Sequence, residues 1–372
     1  MRSTDWDPSQ PLAKAFRDDI ADRITGFLDG QQTVVTDIAD ELAPVVELAR
    51  AFTAGGKRIR PAFAVWGYVA AADRPAPEAV RTAAASLDLL HVSALVHDDV
   101  MDDSDLRRGI PAAHHQFATR HHDHAGVGDA DAFGRAGAIL LGDMLVMWSV
   151  EMLETAGLDA AELARARPLL AAMRTEVTAG QFLDVMAQAQ LRTRGPEDGD
   201  TLQAALTEAS RVVEYKTARY TVQRPVQFGA ALGGGSPELL EALARFGSAI
   251  GRAFQYRDDL LGVFGTEVVT GKPAGGDLRE GKRTVLLAQT AAGTDDAGRQ
   301  LLAELVGRDR MTDADLDRLR QVITDSGAAD RVEAMIDRLY DEALSHLADA
   351  PAGEAGRTAL SALATAAVRR DT

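Results

Sequence analysis

Apolar residues recur every three or four positions along almost the whole chain. That spacing marks one face of a helix rather than the alternation of a strand. It predicts a helix from about Pro11 to Leu28, a second from Thr33 to Phe52, and a third that follows residues 54–61 and reaches Ala72. Pro77 opens the next helix, which carries LDLLHVSALVHDDVMDDSDLRRG at residues 87–109 and is closed by Arg107 and Arg108. Residues 114–135 hold five of the eight histidines (His114, His115, His121, His122, His124) and read as a solvated loop. A metal site is the alternative there, but the spacing matches no closed ligand set. Helical spacing resumes near Arg135 and continues over Asp159–Gln190 and Thr201–Leu232, with RTRGPEDGD at 192–200 as a linker. A further helix carries FQYRDDLLGVFG. A Gly- and Lys-rich connection follows at 265–284, and shorter amphipathic helices run from Val285 to Arg369 and Arg370. No strand pattern of useful length and no fixed-period repeat is visible. The expected fold class is all-α, with residues 1–10 as a loose leader.

A hydrophobic share of 46% in 372 residues is ample for a core. Forty Lys and Arg against 56 Asp and Glu leave a net charge of −16, which argues against nucleic acid as a partner. Local basic clusters then stand out against the background. The absence of cysteine excludes disulfide and thiolate chemistry and is compatible with a cytoplasmic protein. The first residues, MRSTDWDPSQ, are polar and carry no secretory signal. No uninterrupted apolar run reaches about 18 residues, so any membrane contact is expected to be peripheral.

Two acidic clusters interrupt the apolar pattern. Asp98, Asp99 and Asp102 stand at i, i+1 and i+4, so Asp98 and Asp102 share a helix face one turn apart. Like charges so placed repel, by about 0.2–0.5 kcal/mol per exposed pair, and a cation relieves them. Oxygen ligands suit Mg2+, which prefers one or two carboxylates plus phosphate and water. Asp258 and Asp259 repeat the arrangement 160 residues later. One such cluster reads equally well as a solvated helix turn; two, on apolar helices, read as a shared site. In AGGKRIRP, Gly55 and Gly56 let the backbone approach a ligand, and Lys57 and Arg60 project from one face. That motif alone reads either as a basic turn or as a phosphate site. Asp143, isolated on an apolar helix, reads either as a buried structural acid or as a ligand. Gln181, Asp184, Phe254, Asp277 and Arg283 complete the residues of note.

GGKRIRP, HDDVMDDSDLRRG, Lys216-Thr217, FQYRDD and GKPAGGDLREGK, in this order, resemble the trans-isoprenyl diphosphate synthase (polyprenyl synthetase) family from about residue 10 onward. The resemblance implies one domain over 11–372, of long antiparallel helices around a central cavity, and a homodimer. It implies elongation of an allylic diphosphate by isopentenyl diphosphate. Three Mg2+ ions are implied, two on Asp98 and Asp102 with Asp99 close by, and one on Asp258, helped by Asp259 through water. Arg107, Lys216 and Lys272 are expected to grip the allylic diphosphate. Lys57, Arg60, His91 and Arg108 are expected to grip isopentenyl diphosphate. Thr217 and Gln255 are expected to line the bond-forming space, with Lys282 closing the site. The family's second motif ends in aspartate; here that place is Gly262.

The growing chain is expected to run from the aspartates toward the helix start. Ser93 and Ala94 are small, so the tunnel should pass them and end at Leu90 or Leu87, met by Met144, Met147 or Trp148. The expected product is geranylgeranyl diphosphate (C20), with longer chains the alternative. A terpene cyclase on the same fold and a non-catalytic partner subunit are the competing readings. The first needs no second diphosphate site, and the second is expected to have lost aspartates or arginines.

Overall fold

The computed structural model describes residues 6–191, 199–265, 275–308 and 310–369. The chain folds as two compact units and, among the described residues, is all-α apart from one two-residue strand pair. The first unit comprises Met1–Ala166, Phe228–Gly235 and Gly353–Leu363; the second comprises Arg167–Gln227, Ser236–Ala352 and Ala364–Thr372.

In the first unit, helix α1 (Lys14–Ile38) buries Phe16, Ile20, Ile24, Leu28 and Val35 along one stripe. The break expected near residues 29–32 does not occur. A helical glycine costs only about 1 kcal/mol, and the stripe continues on both sides of Gly30. Gln31 is buried and donates to Glu151 Oε1 at 2.8 Å. The chain turns instead at the extended Ala39 and, after one 3-10 turn (Asp40–Leu42), starts α2 (Ala43–Thr53) with Pro44 in its first turn. The described part of the leader is not loose. Trp6 packs edge-on to Phe16 with ring centroids 5.0 Å apart, and the Arg81 guanidinium lies 5.6 Å from the Trp6 ring.

Helix α3 (Ile59–Ala72) is buried over most of its length. Helix α4 (Glu78–Met101) packs along α6 (Ala130–Glu154), with α5 (Ala113–Asp123) beside α6. The histidine-rich segment is therefore a helix for much of its length. Ala113, His114 and Phe117 form its buried face, a signal masked by the polar residues around them. His97 Nε2 lies 3.1 Å from the Ile139 carbonyl, and Gly157, just past α6, faces Ala79. Helices α4 and α6 thus run antiparallel. Both are long and apolar enough to cross a membrane by length and composition; in α4 most of that surface is core.

Helix α7 (Ala160–Leu191) passes from the first unit into the second. The single helix expected over Thr201–Leu232 is three pieces: α8 (Gly199–Val212), a π-helical segment (Val213–Gln223) and α9 (Arg224–Leu232). Gly180 of α7 and Gly247 and Gly251 of α10 (Pro237–Phe264) let neighbouring backbones press directly on the π segment. Its widened turns, a form that recurs at functional sites, carry Lys216 and Thr217. Helices α11 (Gly276–Glu280), α12 (Val285–Gly293), α13 (Asp296–Leu305), α14 (Asp313–Asp325), α15 (Ala328–Ala348) and α16 (Glu354–Val368) follow, and α10 packs on α15. The expected linker at 192–198 lies outside the described residues.

Arg58 adopts a left-handed φ of 56° and turns inward. Its Nη1 donates to Asp88 Oδ2 at 2.5 Å and its Nη2 to the Thr53 carbonyl at 2.7 Å, so the loop before α3 is tied to α4. Both side chains are buried, at 3% and 7% exposure. Removing one partner of such a pair leaves an uncompensated charge and costs about 3–5 kcal/mol. Asp88→Ala is expected to lower stability by about that amount in urea unfolding; an unchanged midpoint would contradict the inward role of the pair.

Candidate active site

At the end of α4, Asp102 is the C-cap residue and its N–H donates to the Asp98 carbonyl at 2.8 Å. Asp98 and Asp102 are half-buried on one face. Asp99, one position round, is 1% exposed and faces inward. Arg107 Nε donates to both Asp99 oxygens at 3.0 Å, and Arg107 Nη2 also pairs with Asp99. The Asp99 carboxylate thus takes a two-pronged hold on Arg107.

Arg107 sits on a tight hairpin of β1 (Leu106–Arg107) and β2 (Ile110–Pro111). Arg108 and Gly109 at the turn have φ of 54° and 79°, the positive pair that such hairpins require. This directs Arg108 to the glycine loop, where Nη1 donates to the carbonyls of Phe52 at 2.8 Å and Gly55 at 3.0 Å. A Cβ on Gly56 would stand 3.1 Å from Arg108 Nη2. The close approach that these glycines permit is therefore made by Arg108. Lys57 is exposed just before α3, and Arg60 is half-buried in its first turn.

His91 lies behind these groups. Burial, then the guanidinium charges of Arg60, Arg108, Arg107 and Arg58, hold its imidazole well below the usual histidine range. Four arginines thus gather around one neutral histidine in a chain of net charge −16. Such a concentration of guanidinium groups suits a diphosphate.

In the second unit, Lys216 Nζ donates to Asp184 Oδ2 at 2.6 Å, and Asp184 is 5% exposed. Asp184 was readable only as an acid on an apolar helix; its partner comes from the π segment, 32 residues on. Thr217 Oγ1 donates to Gln255 Oε1 at 2.7 Å, and Gln255 Nε2 donates to Asp259 Oδ1 at 2.7 Å. The expected neighbours Thr217 and Gln255 are thus joined and lead to the second acidic pair. Asp258 is half-buried, whereas Asp259 is 3% exposed. Burial, then Asp277, push the Asp259 carboxyl well above the ordinary range; Asp258 adds to this, and Gln255 and Lys282 oppose it. Lys282 Nζ lies 2.5 Å from Glu280 and 3.8 Å from Asp277. Lys272 lies outside the described residues.

Asp143 is neither buried nor enclosed: it is exposed on α6, with Oδ1 3.4 Å from His97 Nε2. Met147 points to solvent at 60% exposure and leaves the expected tunnel wall, whereas Leu90, Ser93 and Trp148 are buried and Met144 is half-buried. Arg257, which precedes the second acidic pair, was not singled out by its sequence position. Its guanidinium holds Glu333 of α15 at 2.5 and 2.7 Å, and its Nε donates to the Val368 carbonyl at 3.1 Å.

The donor set fits Mg2+. The groups are carboxylates, and Asp259 Oδ2 is buried without a hydrogen-bond partner among the described residues. A cation relieves both the unsatisfied oxygen and the crowding of charge. Among the described residues no three acidic or imidazole groups already close on a metal.

The lowered pKa of His91 has a consequence for stability. Below its ordinary pKa of 6.5 the unfolded chain takes up a proton that the folded one resists. Stability should therefore fall as pH drops from about 6.5 toward the folded value. His91→Gln should remove that part of the slope, as read from urea midpoints between about pH 7 and 5. Parallel curves for the two proteins would show that His91 stays protonatable when folded.

Comparison with known proteins converges on one family. A model of the polyprenyl synthetase family matches residues 44–323. Geranylgeranyl diphosphate synthase of Methanosarcina mazei is 32% identical over 301 residues, covering 79% of this chain and 82% of that one. Geranylfarnesyl diphosphate synthase of Aeropyrum pernix is 30% identical over 305 residues, covering 81% and 86%. The crystal structure of geranylgeranyl pyrophosphate synthase from Corynebacterium glutamicum, complexed with isoprenyl diphosphate and magnesium, superposes with a TM-score of 0.89 at 40% identity. It covers 96% of this chain and 99% of that one. The chain therefore belongs to the polyprenyl synthetase family, the trans-prenyl diphosphate synthases.

Proposed function

We propose that the protein joins isopentenyl diphosphate head-to-tail to an allylic diphosphate (dimethylallyl, geranyl or farnesyl) and makes mainly geranylgeranyl diphosphate, C20. The gathering of Arg60, Arg107 and Arg108 around His91 carries this reading, because such a concentration of guanidinium groups in an acidic chain suits a diphosphate. Lys57, Arg60, His91 and Arg108 bind isopentenyl diphosphate, His91 as a neutral N–H donor. Arg107, Lys216 and Lys272 bind the allylic diphosphate. Asp99 and Asp184 hold Arg107 and Lys216 in place for it. Asp98 and Asp102 would hold two Mg2+ ions and Asp258, with Asp259, a third. The magnesium seen with the Corynebacterium glutamicum relative supports that metal.

When bound, Mg2+ supplies charge neutralisation to the leaving diphosphate. Arg107 and Lys216 add to it with preorganised donors. The allylic C–O bond breaks, the isopentenyl double bond attacks the resulting cation, and the departing diphosphate takes the proton released. The side chains of Thr217 and Gln255 line the space for the new bond, and apolar helix faces keep water from the cation. Lys282, now held by Glu280 and Asp277, closes the site over substrate.

The α4–α6 register supports this chain length. With His97 level with Gly142 and Ala79 level with Gly157, Leu90 is level with Trp148. Leu90 lies eight residues, about 12 Å, before Asp98. Small Ser93 and Ala94 lie between, so Leu90 and Trp148 form the floor. The Aeropyrum pernix relative, a geranylfarnesyl diphosphate synthase, supports C25 as the second reading. The protein is proposed to act as a homodimer. Phe133, Leu140 and Met147 recur every seven residues on α6 at 48%, 62% and 60% exposure, an apolar stripe that a second copy would cover.

The test is incubation with isopentenyl diphosphate, Mg2+ and each allylic primer, with products resolved by chromatography. C20 is expected to dominate. Ala94→Phe is expected to shift products to C15 or shorter, and Trp148→Ala to lengthen them. A dominant C15 product from the unaltered protein, or no change with Ala94→Phe, would refute the tunnel. Sedimentation is expected to give a dimer, and Leu140→Glu with Met147→Glu is expected to weaken it.

A further inference from the structure

The two acidic motifs share a layout but not a third member. Asp98, Asp99 and Asp102 occupy i, i+1 and i+4; Asp258 and Asp259 repeat the first two places, and the i+4 place is Gly262. On α10 that place shares a face with Asp258, one turn further on. It is filled from another element. A Cβ on Gly262 would collide with Asp277 Oδ2 and stand 2.8 Å from Asp277 Cγ, and Asp277 belongs to α11. Beside it, Asp259 is 3% exposed, with Oδ1 taken by Gln255 and Oδ2 buried without a hydrogen-bond partner among the described residues. Carboxyl groups from two elements thus meet at one helical turn, around a buried oxygen that has no hydrogen-bond partner among the described residues. That arrangement is costly unless a cation completes it.

We propose that Asp277 is the third carboxylate of the second metal-holding cluster, taking across space the part that Asp102 takes within the first motif, and that residue 262 is glycine to leave room for it. This rests on the reading above that the second cluster holds Mg2+. A purely structural role, in which Asp277 serves only as a partner for Lys282, makes a different prediction for Gly262. The added methyl group would then only push Asp277 from Lys282, so Gly262→Ala would change stability and leave metal binding alone.

The probe is Mn2+ titrated into the full-length protein with inorganic pyrophosphate, with free Mn2+ read by electron paramagnetic resonance. Asp277→Asn, which keeps the shape and removes the charge, is expected to weaken one class of bound Mn2+ about tenfold or more. Gly262→Ala is expected to do the same without removing any acid, because its methyl group displaces Asp277. Gly262→Asp combined with Asp277→Ala is expected to recover binding to within a few-fold of the unaltered protein. Melting curves confirm that each variant is folded. Unchanged Mn2+ binding in both Asp277→Asn and Gly262→Ala would overturn the proposal, as would a double variant no better than Asp277→Ala alone. Should the Mn2+ pattern appear in a protein that turns over no allylic primer, the proposed condensation falls and the cluster stands. The reverse result removes the cluster alone.

Discussion

Like charge gathered on apolar helices is the constraint that organises this protein. A carboxylate or guanidinium inside a helical packing loses its hydration, and the loss is recovered only where an opposite charge or a hydrogen bond is already in position. The described chain meets this by giving inward-facing members fixed partners. Asp99 is held by Arg107, Arg58 by Asp88, and Asp184 by Lys216; one oxygen of Asp259 is held by Gln255. Behind the loop before α3 and behind the π segment, the partner of each charge arrives from a different element. The pairings therefore fix backbone as well as charge.

That arrangement sorts the charged groups. Asp98, Asp102 and Asp258 remain half-buried at helix surfaces, and Lys57 is exposed. Arg108 spends its guanidinium on two carbonyls of the glycine loop, which fixes where the basic cluster sits. His91, among four arginines, has little reason to add a fifth positive charge. A neutral imidazole there contributes shape and an N–H, and leaves the positive charge to the guanidinium groups. Since the chain as a whole is strongly acidic, the cluster is a local reversal of sign.

Much of the helical plan was legible because a 3.6-residue period survives local interruptions, and both acidic clusters were legible from their spacing. What was not legible has physical causes. Gly30 and the polar residues around it looked like a break, but burial of a stripe on both sides outweighs one glycine, and the turn came at Ala39. The histidine-rich segment holds only three buried positions, too few to show against its polar residues, yet α6 packs along that face. The π segment leaves no period of its own; it follows from glycines on α7 and α10 that lie far away in sequence. The inward roles of Arg58 and Asp88 depend on a left-handed backbone at residue 58, and a basic run by itself does not distinguish the residue that turns in from those that stay out.

Gly262 shows the limit of motif spacing most directly. Spacing at i and i+4 stands in for proximity, because a helix turn brings those two side chains together. Proximity is what a cation requires, and the helix is only one way to obtain it. At residue 262 the helical route is vacant and the volume is occupied by a carboxylate from α11. Read along the chain, the second motif looks one acid short; read through space, its third place holds an acid. The same logic applies to Asp99, which satisfies the motif in sequence and is turned away from its face in the structure, toward Arg107. Position in a motif identifies which residues can meet, and the direction of each side chain decides which of them do.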